Sequence, residues 1–187
     1  MLTRMQIQNF KVWKDTGSVP LAPLTVIFGT NSSGKSSLGH LLLALKQTVQ
    51  LADRKRALHL GDGNSLIDLG TFADCVHWHD LDRKIVFSLG WRPPQALTIK
   101  NPLSSAEVFK GNELELSSTL RADKNRQPET ESFSYRLLQG GTKVLEVTHR
   151  RGDKMSLDCE PLKLVMAMGR KWPLEPPEKF YRFADRT

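Results

Sequence analysis

An α/β fold is predicted for this chain, a phosphate-loop unit joined to an antiparallel β-rich subdomain, and three observations predict it. GTNSSGKSS, residues 29–37, fits G-x-x-x-x-G-K-[ST], the loop that wraps phosphate. PLTVIFG, residues 23–29, is an unbroken apolar run closed by Pro and Gly, the pattern of a strand buried on both faces. Beyond residue 84, short runs of strand composition alternate with turn signals, as antiparallel hairpins do.

The first element is LTRMQIQNF, residues 2–10. Leu2, Met5, Ile7 and Phe10 fall roughly on alternate positions, which predicts a strand with one buried face. Residues 15–19 read as a turn and a short return strand. After the loop, Leu38, Leu41, Leu42, Leu45 and Val49 recur at helical spacing, and serines open the helix. Residues 53–82 are mixed and polar, with GDGN (61–64) as a turn. KIVFSLGW, ALTIK, ELELSSTL, SFSYRLLQ, TKVLEVTHR and KMSLDCE then read as strands, separated by RPPQ, GG and RRGDK. PLKLVMAMGR (161–170) fits a short helix or a last apolar strand, and the Pro-rich WPLEPPEKFYRFADRT reads as irregular. The predicted regions are thus a nucleotide-binding unit over 1–83, the β subdomain over 84–160 and an irregular segment over 161–187.

At 187 residues, with 39% hydrophobic and 25% charged, the chain reads as one soluble domain, or one plus a small annex. Its net charge of +7 favours polyanionic partners. Cys75 and Cys159 form no CxxC pair, which argues against a disulfide framework or zinc spacing and suits a reducing cytoplasm. The N-terminus has no apolar leader and no run is long enough to cross a bilayer, so no membrane association is expected.

The loop has the parts that phosphate chemistry needs. Gly29 and Gly34 let backbone N–H groups turn toward the anion, with Ser33 between them. Lys35 supplies a point charge for the outer phosphates and is the candidate catalytic residue. The Ser36 hydroxyl is the candidate Mg²⁺ ligand. The predicted strand before the loop and helix after it would aim a helix dipole at the phosphates.

With these residues in place, the first 50 residues or so resemble the start of an ABC-type ATPase head of the RecF, SMC and OLD group, and within it bacterial AAA-annotated ATPases linked to DNA repair or phage defence. The likeness rests on QNFK (8–11), LTVIFGTNSSGKS (24–36) and LLLALKQT (41–48). DLGTFADCV (68–76) is similar to the segment after the first helix, and KFYRF (179–183) resembles a later landmark. The resemblance implies a P-loop NTPase N-terminal lobe with a parallel core sheet, binding ATP and Mg²⁺. It implies that Asn31 and Ser32 help form the loop, that Ser37 follows the metal ligand, and that Lys11 lies near base and ribose. Trp13 is carried along with Lys11, although its ordinary reading is a surface-strand aromatic.

Other parts of such a head are missing from the sequence. No run of four apolar residues ends in Asp-Glu; Asp68 follows only Leu66 and Ile67. LLQGG (137–141) imitates a signature segment, but the strand-like TKVLEVT after it makes Gly140–Gly141 a hairpin turn. Gln47 lies inside the first helix, too near the loop for a glutamine-loop role. Either the chain is truncated after its irregular 161–187 segment, or the missing ATPase lobe is a partner chain, or hydrolysis has been lost; truncation or a partner lobe is the expectation, and the resemblance implies heads pairing as a homodimer around ATP.

His77, His79 and Asp80 have spacing that can ligate zinc, but a polar turn is the simpler reading. RADKNR (121–126) and HRRGDK (149–154) either contact nucleic-acid phosphates or are solvated turns. Two functions follow: an Mg-ATP-binding lobe completed in trans, or a non-catalytic nucleic-acid- or protein-binding module with a vestigial or switch-type nucleotide site.

Overall fold

The computed structural model describes residues 1–100, 106–152, 155–161 and 174–184. β1 (Leu2–Phe10) buries Met5, Ile7 and Phe10, while Leu2 stays partly exposed at the strand's start. β2 (Trp13–Asp15) and β3 (Val19–Pro20) fold back on it. The helix α1 (Lys35–Gln50) and the short α2 (Phe72–Cys75) follow. Then come β4 (Ile85–Trp91), β5 (Leu97–Lys100), β6 (Glu107–Gly111), β7 (Glu113–Ala122), β8 (Pro128–Gln139), β9 (Thr142–Arg151) and β10 (Met155–Glu160).

Eight strands form one sheet in the order β10-β9-β8-β7-β4-β1-β2, with β3 also on β1; β5 and β6 pair separately. Every strand pair among the described residues is antiparallel. The prediction of an α/β, P-loop NTPase lobe is therefore corrected: among the described residues 42% are strand and 14% helix, and no parallel sheet flanked by helices exists. The physical reason lies in the connections. Parallel neighbours need crossovers that lay helices on both sheet faces, whereas here β7 to β10 follow one another across short connections and α1 is the one long described helix. Because β1 pairs with β4, one sheet spans both of the regions separated at residue 83.

The predicted buried strand at 23–29 is the second correction. No strand forms there, and Leu24 and Phe28 are 82% and 89% exposed. An apolar run signals a tendency to be buried, but a strand needs a neighbour to pair with, and no described segment pairs with this one. The six predicted strands from 84 to 160 are present, while β6 and α2 escaped prediction. PLKLVMAMGR lies almost wholly outside the described residues.

One hydrophobic core fills the inner face. Met5, Ile7, Phe87, Leu120 and Phe133 from the sheet meet Leu38, Leu41 and Leu45 of α1 and Phe72 of α2. KFYRF belongs to this core. Phe180 is buried edge-on to Phe87, and Phe183 packs against Phe133 at 4.8 Å. The Lys179 ammonium donates to the Val49 and Leu51 carbonyls at 3.0 and 2.7 Å, so it caps the negative end of α1. The outer face is polar: Arg136 bridges Glu115 and Glu146 at 2.8 and 2.6 Å, and Arg4 reaches Glu115 across Gly90.

His149 is fully buried, stacked on Phe133 at 5.6 Å and edge-on to Phe183. Burial disfavours the imidazolium and pushes its pKa below the ordinary histidine value, and the Arg151 charge acts the same way. The unfolded chain thus holds this proton more tightly. The folded state keeps its full stability above the unfolded value, about 6.5, and loses it as pH falls below. Thermal melts at pH 7 and pH 5 check the expectation: the parent's Tm drops on acidification by more than that of His149→Leu, with a slope from this group of at most about 1.4 kcal/mol per pH unit.

Candidate functional site

The loop 29–34 runs straight into α1, whose first four N–H groups have no helical partner. Gly34 is the N-cap in a left-handed conformation (φ 87°). No side chain caps the helix and no acidic residue occupies its first turn. The positive end of a 16-residue helix therefore opens onto a cavity of about 380 Å³. Asn31, Ser32, Ser33, Gly34, Lys35, Ser36 and Ser37 line it, together with Val12. Seven of the nine predicted site residues are thus brought together. Gly29 stands beside them through its carbonyl, which accepts from Lys35 Nζ at 2.9 Å; Lys35 also donates to the Thr30 carbonyl. An ammonium has three donors, and these bonds use two.

Ser32 sits at φ 63° and Ser33 N donates to Thr30 O at 3.4 Å, so the loop curls tightly on itself. Asn31, Ser32, Ser33 and Ser36 are exposed, and Ser37 is buried. Among the described residues no group of three or more His, Cys, Asp and Glu is placed to hold a metal. The exposed Ser36 hydroxyl offers a neutral oxygen at the cavity.

The back wall of the cavity is the β1–β2 turn. Trp13 Nε1 donates to Gly34 O at 3.0 Å, so this residue is tied to the loop rather than being a surface aromatic. A Cβ on Gly34 would lie 2.3 Å from Val12 Cγ2 and 2.9 Å from Trp13 Nε1. Gly34→Ala thus combines a clash with a left-handed backbone. It is expected to cost about 1–3 kcal/mol in stability and to abolish phosphate binding, as read by denaturant melts and nucleotide titration.

Lys11 does not line the cavity. It sits at φ 50° next to Val12, with its N–H on Cys75 O at 2.7 Å and its carbonyl accepting from His77 Nδ1 at 2.8 Å. His40 of α1 is half-buried; burial and the nearby Lys11 charge lower its pKa. Cys75 is buried, which pushes its thiol up to about 11 and leaves it an unreactive core residue.

Other candidates resolve into structural roles. Gln47 is buried and stitches α1 to the following loop: its amide donates to His59 O and Ile67 O at 2.8 and 3.1 Å and accepts from Ile67 N. Asp68 accepts from Gly70 N at 2.9 Å in a turn. Gly140 and Gly141 (φ 57° and 81°) close the β8–β9 hairpin. Residues 77–79 form a 3₁₀ turn in which His79 Nδ1 donates to Ala73 O at 3.1 Å. RADKNR includes the β7–β8 turn, pinned by Asp123, whose carboxylate accepts from the N–H groups of Asn125 and Gln127. The signal for α2 was present in the sequence as Thr71 and Asp74, a capping-box pair three residues apart. No protein-family model matches this chain, and no curated protein does either.

Proposed function

We propose that this chain binds Mg-ATP through residues 29–37. Lys35 neutralises charge on the β/γ-phosphates, Ser36 ligates Mg²⁺, and the amides entering α1 receive the remaining phosphate oxygens. The observation that carries this reading is the uncapped, acid-free N-terminus of α1 opening onto a cavity with Lys35 at its mouth. Hydrolysis draws its acidic and signature groups from a second lobe or partner chain, with two copies pairing around the nucleotide. The exposed Leu24–Phe28 run supports such a partner, since it is apolar and no described strand pairs with it. The likeness of the first 50 residues to DNA-repair and phage-defence ATPases supports a role in one of those processes.

Equilibrium dialysis of the chain against Mg-ATP tests the proposal. Saturable binding that competes with Mg-tripolyphosphate is expected; no binding to the parent chain ends the reading.

A second reading has its own support. Lys124 and Arg126 stand at the β7–β8 turn, on a chain of net charge +7. A nucleic-acid-binding module would retain DNA in a manner that falls steeply with salt and ignores Mg-ATP. Equal retention at low and high salt counts against it.

A further inference from the structure

Trp78 is 78% exposed and adopts φ 63°, ψ 18°, and His79 after it has φ 56°. Two successive non-glycine residues in the left-handed region are strained, and such strain persists only where the surroundings enforce it. Here they do. His77 Nδ1 is held by Lys11 O at 2.8 Å, His79 Nδ1 by Ala73 O at 3.1 Å, and the His77 ring meets the indole edge-on at 5.7 Å. Trp78 thus projects a large apolar ring outward from a clamped turn. Core packing does not explain it: Val76, bridged to Phe10, is the buried residue of this stretch, and Trp78 is not.

The turn that clamps Trp78 also builds the phosphate cavity. Lys11 bonds to Cys75 and His77 on one side. On the other, Val12 lines the cavity and Trp13 bonds to Gly34. Through His77 and Lys11, Trp78 is thus joined to the turn whose Val12 walls the cavity. Along that path Val12 is 53% exposed and Lys11 is cationic, and both suit a nucleoside that leaves the loop.

We infer that Trp78 is the stacking platform for the base of the nucleotide whose phosphates occupy residues 29–37. The inference rests on the phosphate-loop reading and adds a base-binding residue to it. An indole face accepts any base, so the platform contributes affinity with little choice among bases.

Calorimetric titration of the full chain with Mg-ATP, Mg-GTP and Mg-tripolyphosphate tests it. Trp78→Ala is expected to weaken Mg-ATP and Mg-GTP roughly ten-fold or more, the scale of one base–aromatic stack, and to leave Mg-tripolyphosphate unchanged. Trp78→Phe keeps most of the affinity. Trp78→Gly relieves the backbone, so its Tm rises while its nucleotide affinity falls; a residue serving stability alone would not separate the two. Parent-like Mg-ATP affinity in Trp78→Ala, with Lys35→Ala losing both nucleotide and tripolyphosphate, overturns the platform and leaves the loop standing. Equal losses for Mg-ATP and tripolyphosphate in Trp78→Ala also overturn it, since the residue would then be shaping the loop. A parent that binds neither ligand brings down both proposals.

Discussion

Lys35→Ala is expected to weaken Mg-ATP by about 100-fold or more, ~2.7 kcal/mol, because it removes a charge-assisted contact to phosphate. Its thermal stability should stay close to the parent's. The side chain is only half-buried, lies outside the hydrophobic core and, among the described residues, bonds to two carbonyls of its own loop. Those carbonyls are at the surface, where water replaces the ammonium at little cost. The contrast between a large loss of binding and a small change in melting is what calorimetry and a thermal melt would read side by side. Lys35→Ala binding Mg-ATP as the parent does would remove the phosphate-loop reading. Lys35→Arg is a useful companion: it keeps the charge, but its planar fork is a poor replacement for a compact ammonium.

Phe133→Ala carries the largest expected loss of stability, about 3–5 kcal/mol. Phe133 is 1% exposed and meets Tyr135, His149 and Phe183, so it joins β8, β9 and the KFYRF segment in one aromatic cluster. Against a typical domain stability of roughly 5–15 kcal/mol, that loss is a large share. Urea titration followed by circular dichroism measures it. Because Phe183 packs on this ring, protease sensitivity within 174–184 should rise in the variant before the sheet melts. Unchanged sensitivity there would mean that the segment is held by its other bonds, Tyr135 Oη to Tyr181 O and Thr130 Oγ1 to Lys179 O.

Much of the strand layout was legible because each element carries its own pattern. β1 alternates, α1 repeats its leucines at helical spacing, and Gly140–Gly141 marks a hairpin between two strands. The grouping of Asn31 to Ser37 was legible for the same reason: the residues are contiguous, and they line one cavity. What failed depends on partners distant in sequence. PLTVIFG has the composition of a buried strand, but composition carries no information about which strand is available to pair with it, and the α/β assignment failed along with that strand. Trp13 looked peripheral because its bond partner, Gly34, lies across the β1–β2 turn. Gln47 invited a catalytic comparison, yet its amide is committed to the backbone of residues 59 and 67. Lys179 gave no sign in the sequence that it would cap a helix ending at residue 50.

The strand order also sets a sequence of events in time. β7 to β10 follow one another across connections of a few residues, so their pairings close small loops and form early. β1 instead pairs with β4, and that closure encloses the whole stretch from residue 11 to residue 84, including the loop 29–34 and α1. The loop's back wall, Val12 and Trp13, is in place only when β1 has docked. The cavity at residues 31–37 is accordingly the last part of the molecule to mature during folding and the first to open when β1 detaches. Amide exchange at residues 29–34 should track the detachment of β1 and run ahead of exchange in β7 and β8.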